Sequence, residues 1–226
     1  MAQYDWAGAL VRTIAAEVRR HRQRRGLSTQ GLADACAELG YPIKRQVLTN
    51  LENGRRDAVP VPELLVLGKA LGVPPALLVF PVGEALSCEP LPNQSRPLWD
   101  AVQWFAGFAP YPANPDADAR SSFEADHLLD EWEEGASALI AYTREDRLIE
   151  TWRRDREKIA STRRELVNTS DKNVQKMLAA VIEDREQMLR DTENEIRKCR
   201  SEMRNANISV RPLPEQLAHL EEITGN

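Results

Sequence analysis

From Lys44 to Asn53 the chain reads KRQVLTNLEN. The spacing predicts a helix over residues 43–53. At helical pitch Ile43, Val47, Leu48 and Leu51 form one apolar stripe, while Lys44, Arg45, Gln46, Thr49, Asn50 and Asn53 fall outside it. Guanidinium and amide groups are planar forks. Arginine can pair bidentately with a guanine edge, and glutamine or asparagine with an adenine edge. A helix that merely faces water carries Glu and Lys more often. Two readings stay open for these residues alone: a reader of base edges, or a plain surface helix.

Other chemistry-bearing stretches are weaker. RRHRQRR, residues 19–25, could contact phosphates or be a solvated face, and His21 within it reads as a surface residue. DHLLDEWEE, residues 126–134, clusters carboxylates around His127, but a solvated acidic helix face explains it better than a metal site. The three histidines, 21, 127 and 219, lie too far apart for an HExxH-type site, and there is no glycine-rich phosphate loop or G-x-S-x-G elbow. Cys36, Cys88 and Cys199 are odd in number and widely spaced, which fits neither a disulfide framework nor a zinc site. Cys36 reads as a small core residue and Cys199 as part of a helix interface. The expectation is a non-enzyme with no catalytic residue, metal or cofactor.

The elements that must position these residues are read from composition. The chain has 226 residues, 42% hydrophobic and 29% charged, with a net charge of −5. That charge is unevenly spread. Residues 1–81 hold 11 basic and 7 acidic side chains, a net +4, and the rest hold 19 and 28, a net −9. The pattern is a basic head on an acidic body, so the overall sign does not exclude a polyanionic partner for the head. No run approaches the roughly 20 apolar residues of a spanning helix, and the N-terminus lacks a signal-peptide pattern, so the expected location is cytoplasmic, nucleoid-associated when bound to DNA.

Three zones are expected. Residues 1–81 hold five short helices. Leu10, Ile14 and Val18 mark the first, ending near Gly26; Ser28 caps the second, TQGLADACAEL; the third is 43–53, closed by Asn53-Gly54. PELLVLGKAL stops at Gly72, and VPPALLVF opens on a proline pair. Residues 82–120 form a proline-rich linker whose prolines (Pro90, Pro92, Pro97, Pro110, Pro112, Pro115) leave room only for a short aromatic helix in RPLWDAVQWFAGFA, expected to pack on the head or the long helices. Ala106-Gly107 does not suggest self-cleavage, because the segment C-terminal to it is helical in pattern. Residues 121–226 form the body. It has two long helices, about 121–167 and 171–206, separated at VNTSDKN, where Ser170 or Asp171 can cap the second. The first carries Leu128, Leu129, Trp132, Leu139, Ile149, Trp152, Ile159 and Leu166. The second carries Val174, Leu178, Val181, Met188, Ile196, Cys199 and Met203, interrupted by Arg185 and Thr192. Such stripes need partners, which predicts an antiparallel hairpin or coiled coil, within the chain or with a second copy. The fold class is all-α.

Three segments, VRRHRQRRGLSTQGLADA, RQVLTNLENGRR and VPELLVLGKALGVPPALLV, together resemble the Cro/lambda-repressor-like, XRE-type helix-turn-helix regulators. The resemblance covers roughly residues 10–80. It implies a five-helix domain that inserts its third helix into the major groove of double-stranded DNA. Lys44, Arg45, Gln46, Thr49 and Asn50 then take the base-reading positions. Ser28, Thr29, Gln30, Asn53, Arg55 and Arg56 take the phosphate-contacting ones, which position without specifying. Thr29 stands where the family usually has Gln. The link AELGYPIKR is longer than the family's usual turn, either extending the second helix or forming a longer loop. The implied protein is a repressor, a homodimer through its long helices that reads a near-palindromic operator. The alternative is a DNA-tethered interaction protein of the antitoxin or phage-control type whose acidic body binds a protein partner.

Overall fold

The computed structural model describes residues 5–112 and 122–221, which fall into two compact units, Met1–Leu129 and Asp130–Asn226. The first unit opens with five helices: α1 (Trp6–Arg24), α2 (Thr29–Glu38), α3 (Arg45–Glu52), α4 (Val61–Leu71) and α5 (Ala76–Val79). The Asp5 carboxylate caps α1 by accepting from the Gly8 N–H at 2.8 Å. Ser28 caps α2 as expected, its hydroxyl accepting from the Gly31 N–H at 3.0 Å. Residues at three- and four-residue spacing, among them Val11, Ile14 and Val18 from α1, Leu32 and Cys36 from α2, Leu48 and Leu51 from α3, and Leu67 and Leu71 from α4, share one buried core. Gly68 sits inside α4 at a cost that packing explains. A Cβ there would lie 2.9 Å from Pro75 Cγ and 3.0 Å from the Val73 carbonyl, so glycine lets α5 close onto α4.

The proline-rich stretch differs from expectation. It forms an antiparallel hairpin of β1 (Ser87–Leu91) and β2 (Gln94–Pro97), followed by α6 (Leu98–Phe105). The prolines occupy the places where a strand tolerates them. Pro90 lies at the register shift between Cys88 and Leu91, Pro92 lies in the turn beside Asn93 (φ 59°), and Pro97 ends β2 and leads into the helix. The short aromatic helix packs on the head. Leu98 and Ala101 join the head's core, Phe105 meets Phe80 edge-on at 5.3 Å, and the Trp6 indole N–H donates to the Glu89 carbonyl at 2.9 Å. Residues 113–121, including Pro115 and Ser121, lie outside the described residues, as does the side chain of Leu128.

The expected helix over 121–167 is two: α7 (Ser122–Gly135) and α8 (Ser137–Asn168). Gly135, the one glycine of the region, weakens helix propensity by about 1 kcal/mol at the break. Within the second unit, α9 (Lys172–Asn205) returns along α8. Its first turn is capped by Asp171, not Ser170, with the carboxylate accepting from the Asn173 N–H at 2.8 Å. The helices run antiparallel: Glu145 meets Arg200, Trp152 meets Glu193, and Asp155 meets Arg185.

The α9 stripe requires correction. Ile182, Leu189, Ile196 and Met203, seven residues apart, face inward with Cys199, whereas Val181 and Met188 are 39% and 49% exposed. Arg185 belongs to the seam through its 3.2 Å ion pair with buried Asp155. On α8, Ile149, Trp152 and Ile159 are buried as expected, and Leu139 is exposed. A short 3₁₀ turn at Glu215–Leu220, unanticipated from sequence, brings Leu217 and Leu220, with Leu213, onto Ile149, Trp152 and Ile196.

The body is also not uniformly acidic. Residues 82–136 hold 11 acidic and 2 basic side chains, whereas 137–205, covering α8 and α9, hold 14 and 16. Within the hairpin, residues 153–164 of α8 hold six basic and two acidic side chains, and residues 181–195 of α9 hold six acidic and two basic. Antiparallel pairing brings these stretches alongside each other.

At one end of the hairpin Arg200 and Glu145 form a buried ion pair at 2.5 Å. Arg200 also donates to the Arg211 carbonyl at 2.9 Å, and Arg211 reaches Glu145 at 3.0 Å. Removing one partner strands the other charge in the core. Glu145→Ala is expected to destabilise the second unit by about 3–5 kcal/mol, read by denaturant unfolding. A loss below about 1 kcal/mol would show that the pair does not hold the hairpin.

Candidate nucleic-acid interface

Helix α3 begins at Arg45, two residues later than its apolar pattern suggests. Lys44 is its N-cap residue in extended conformation (φ −62°, ψ 140°), and Ile43, outside the helix, is still buried at 5% exposure. Leu48 and Leu51 have no exposed surface. Their burial turns the opposite side of α3 outward. Lys44, Arg45, Gln46 and Asn53 are exposed, and Thr49 and Asn50 are half-buried at its edge. The Gln46 amide donates to Asn50 Oδ1 at 3.0 Å, so two of the expected readers form one amide pair. A Gln–Asn pair of this kind is a preordered donor–acceptor surface.

The surrounding cations are mostly engaged within the head. Arg22 grips Glu52, at the end of α3, with two bonds of 2.6 and 2.7 Å, and also donates to the Leu27 carbonyl at 2.7 Å. One side chain thereby ties α1, the start of α2 and α3 together. The hydrogen bonds that Arg22 donates to Glu52 raise the Arg22 pKa. Arg20 pairs with Glu17 and, at 2.9 Å, with Glu84, which also takes Arg24 at 3.2 Å; Arg25 donates to the Ala70 carbonyl at 2.9 Å. The run 19–25 is therefore neither a simply solvated face nor a free row of cations. Its Arg19 is exposed. His21 is not a surface residue. It is buried, with Nε2 3.6 Å from Glu17 and 3.1 Å from the Arg20 guanidinium.

The expected phosphate contacts fall into distinct states. Arg55 is exposed, and neither it nor Arg45 has a side-chain hydrogen bond or ion pair among the described residues. Arg56 is held by Glu63 at 2.5 and 3.3 Å. Ser28 serves as a helix cap, Gln30 donates to Asp34 at 2.7 Å, Thr29 is half-buried, and Asn53 is exposed. The α2–α3 link is a longer loop, not an extension of α2, and residues 39–44 span it. The carboxylate partners Glu17, Glu52, Glu63 and Glu84 were not anticipated. Glu52 lies 30 residues from Arg22, and no local spacing signals that pair.

Among the described residues no group of three or more His, Cys, Asp or Glu could hold a metal ion, and no helix is long and apolar enough to cross a membrane. Burial pushes the Cys36 thiol pKa up, away from reactivity.

Residues 13–79 match the family model described as a helix-turn-helix domain, an XRE-like family, and the matched range runs from within α1 to the end of α5. No curated protein and no solved structure matches the chain. The domain is of a DNA-binding kind and supports a role in transcription regulation.

The His21 environment has a measurable consequence. Burial, and then the Arg20 guanidinium, lower its pKa below the ordinary 6.5; Arg24 acts in the same direction, and Glu17 and Glu84 oppose it. The unfolded chain therefore binds this proton more tightly than the folded one. Its contribution to stability is full above pH 6.5 and is lost as pH falls through 6.5 toward the lower folded value. Head stability measured at about pH 7.5 and about pH 5.5 should fall more in wild type than in His21→Gln, and equal falls would remove His21 as the cause.

Proposed function

We propose that the chain is a sequence-specific DNA-binding transcriptional regulator, acting as a dimeric repressor on a near-palindromic operator. The observation that carries this reading is the outward side of α3. Arg45, unpaired among the described residues, and a Gln46–Asn50 amide pair stand on a helix whose rotation is fixed by buried Leu48 and Leu51. In this reading Arg45, Gln46 and Asn50 read bases, with Lys44 and Thr49 beside them. Asn53 and Arg55 grip phosphates together with the start of α2 (Ser28, Thr29, Gln30), and Arg56, held by Glu63, contributes less. Residues 1–81 bind DNA, 82–120 connect and brace the head, and 121–226 oligomerise through the long helices. Two heads would then read half-sites about 34 Å apart. A second reading, a DNA-tethered protein whose acidic segment holds a protein partner, draws support from the 11 acidic against 2 basic residues of 82–136.

The test is selection of bound duplexes from a random pool near physiological salt, wild type beside Arg45→Ala/Gln46→Ala. A two-fold-symmetric motif that the double variant loses is the expected result, and enrichment of the same motif by both proteins would refute base reading by α3. On the selected site, Arg45→Ala should cost about 1–3 kcal/mol and relax one base pair. Arg55→Ala should weaken all sequences alike and lower the salt slope by about one. Sedimentation of the protein–DNA complex as a single copy would refute the dimer.

A further inference from the structure

The loop between α2 and α3 is anchored at both ends. Gly40 takes a left-handed φ of 81°, its N–H bonding the Ala37 carbonyl at 2.9 Å, while the Tyr41 N–H bonds the Cys36 carbonyl at 3.2 Å. These are the two bonds of a Schellman stop, and only a residue tolerant of positive φ closes it without strain. Pro42 then restricts the backbone, and Ile43 plugs into the core. Between the anchors Tyr41 is 40% exposed, and its hydroxyl has no hydrogen bond among the described residues. An amphipathic aromatic on a fixed backbone loses little conformational freedom when it meets a partner.

Its position limits what it can meet. Tyr41 stands three residues before Lys44, at most about 10 Å along extended chain, and the major groove is about 12 Å wide. With the start of α3 at the base edges, a side chain within that distance is in reach of the rim of the groove, where the sugar–phosphate backbone lies. Tyrosine hydroxyls are among the groups that donate to phosphate oxygens. We infer that Tyr41 is a positioning residue on DNA, its O–H donating to a backbone phosphate at the groove rim beside Lys44. The inference rests on the proposed reading of DNA by α3. The contact is neutral on the protein side. It adds affinity without neutralising a phosphate, so it leaves the salt dependence alone, unlike Arg55.

The experiment uses the full chain and the duplex that wild type selects, with Tyr41→Phe and Tyr41→Ala compared across a salt series. Circular dichroism checks that both variants fold. The expected result is about tenfold weaker binding by Tyr41→Phe, an equal or greater loss for Tyr41→Ala, an unchanged selected motif and an unchanged salt slope. Ethylation of one phosphate should weaken wild type but not Tyr41→Phe. Wild-type affinity in Tyr41→Phe would overturn the inference while leaving base reading by α3 intact, and so would a changed motif at unchanged affinity. Failure of wild type to select any duplex would overturn the reading of α3, and this inference with it.

Discussion

The clamp formed by Arg22 is the constraint on which the head's outward surface depends. Burial of Leu48 and Leu51 sets the rotation of α3 about its axis, but an apolar contact is non-directional and leaves the helix free to slide. The two bonds from Arg22 to Glu52 remove that freedom, and the third, to the Leu27 carbonyl, refers the position of α3 to the junction of α1 and α2. Both side chains are largely shielded from water, so this pair is screened less than a surface ion pair. Arg45, Gln46 and Asn50 inherit their placement from it.

The second unit solves a related problem with different means. Two helices of 32 and 34 residues could pair in several registers if their seam were only aliphatic. Here the seam is divided by polar layers. Glu145–Arg200 and Asp155–Arg185 each require a particular partner across the interface, and a slip by one heptad would separate both pairs and leave buried charges without their counter-charges. The Trp152 indole N–H, donating to Glu193 at 3.0 Å, adds a third such requirement. The complementary charges of residues 153–164 and 181–195 favour the antiparallel direction before any close contact forms.

Much of this was legible in the sequence, for local reasons. Ser28, Asp171 and the prolines before α5 act within one helical turn, and so the five head helices and the break between α8 and α9 could be read directly. Features set by partners distant in the chain could not. His21 sits in a basic run and reads as surface, yet the packing of the head buries it beside Glu17. Arg185 reads as an interruption of an apolar stripe because its partner, Asp155, lies on the other helix, and skipping it shifted the expected seam onto Val181 and Met188. The β1–β2 hairpin was hidden for another reason: its prolines argue against strands in general, but at a bulge, a turn and a strand end they are compatible with one. On α3 the outward residues were legible, whereas the Gln46–Asn50 bond and the engagement of Arg56 by Glu63 were not.

The internal pairing of the head's guanidiniums bears on how such a domain would behave away from its preferred site. Arg20, Arg22, Arg24 and Arg56 all face carboxylates within the same unit, so fewer of the head's cations are available to displace counterions from an arbitrary stretch of duplex than its 11 basic residues suggest. For a head that binds DNA as proposed, residence on unrelated sequence would be shortened. Under the proposed function, such a protein would spend less of its time trapped among the many competing positions of a genome, and its search would lean on release more than on long sliding.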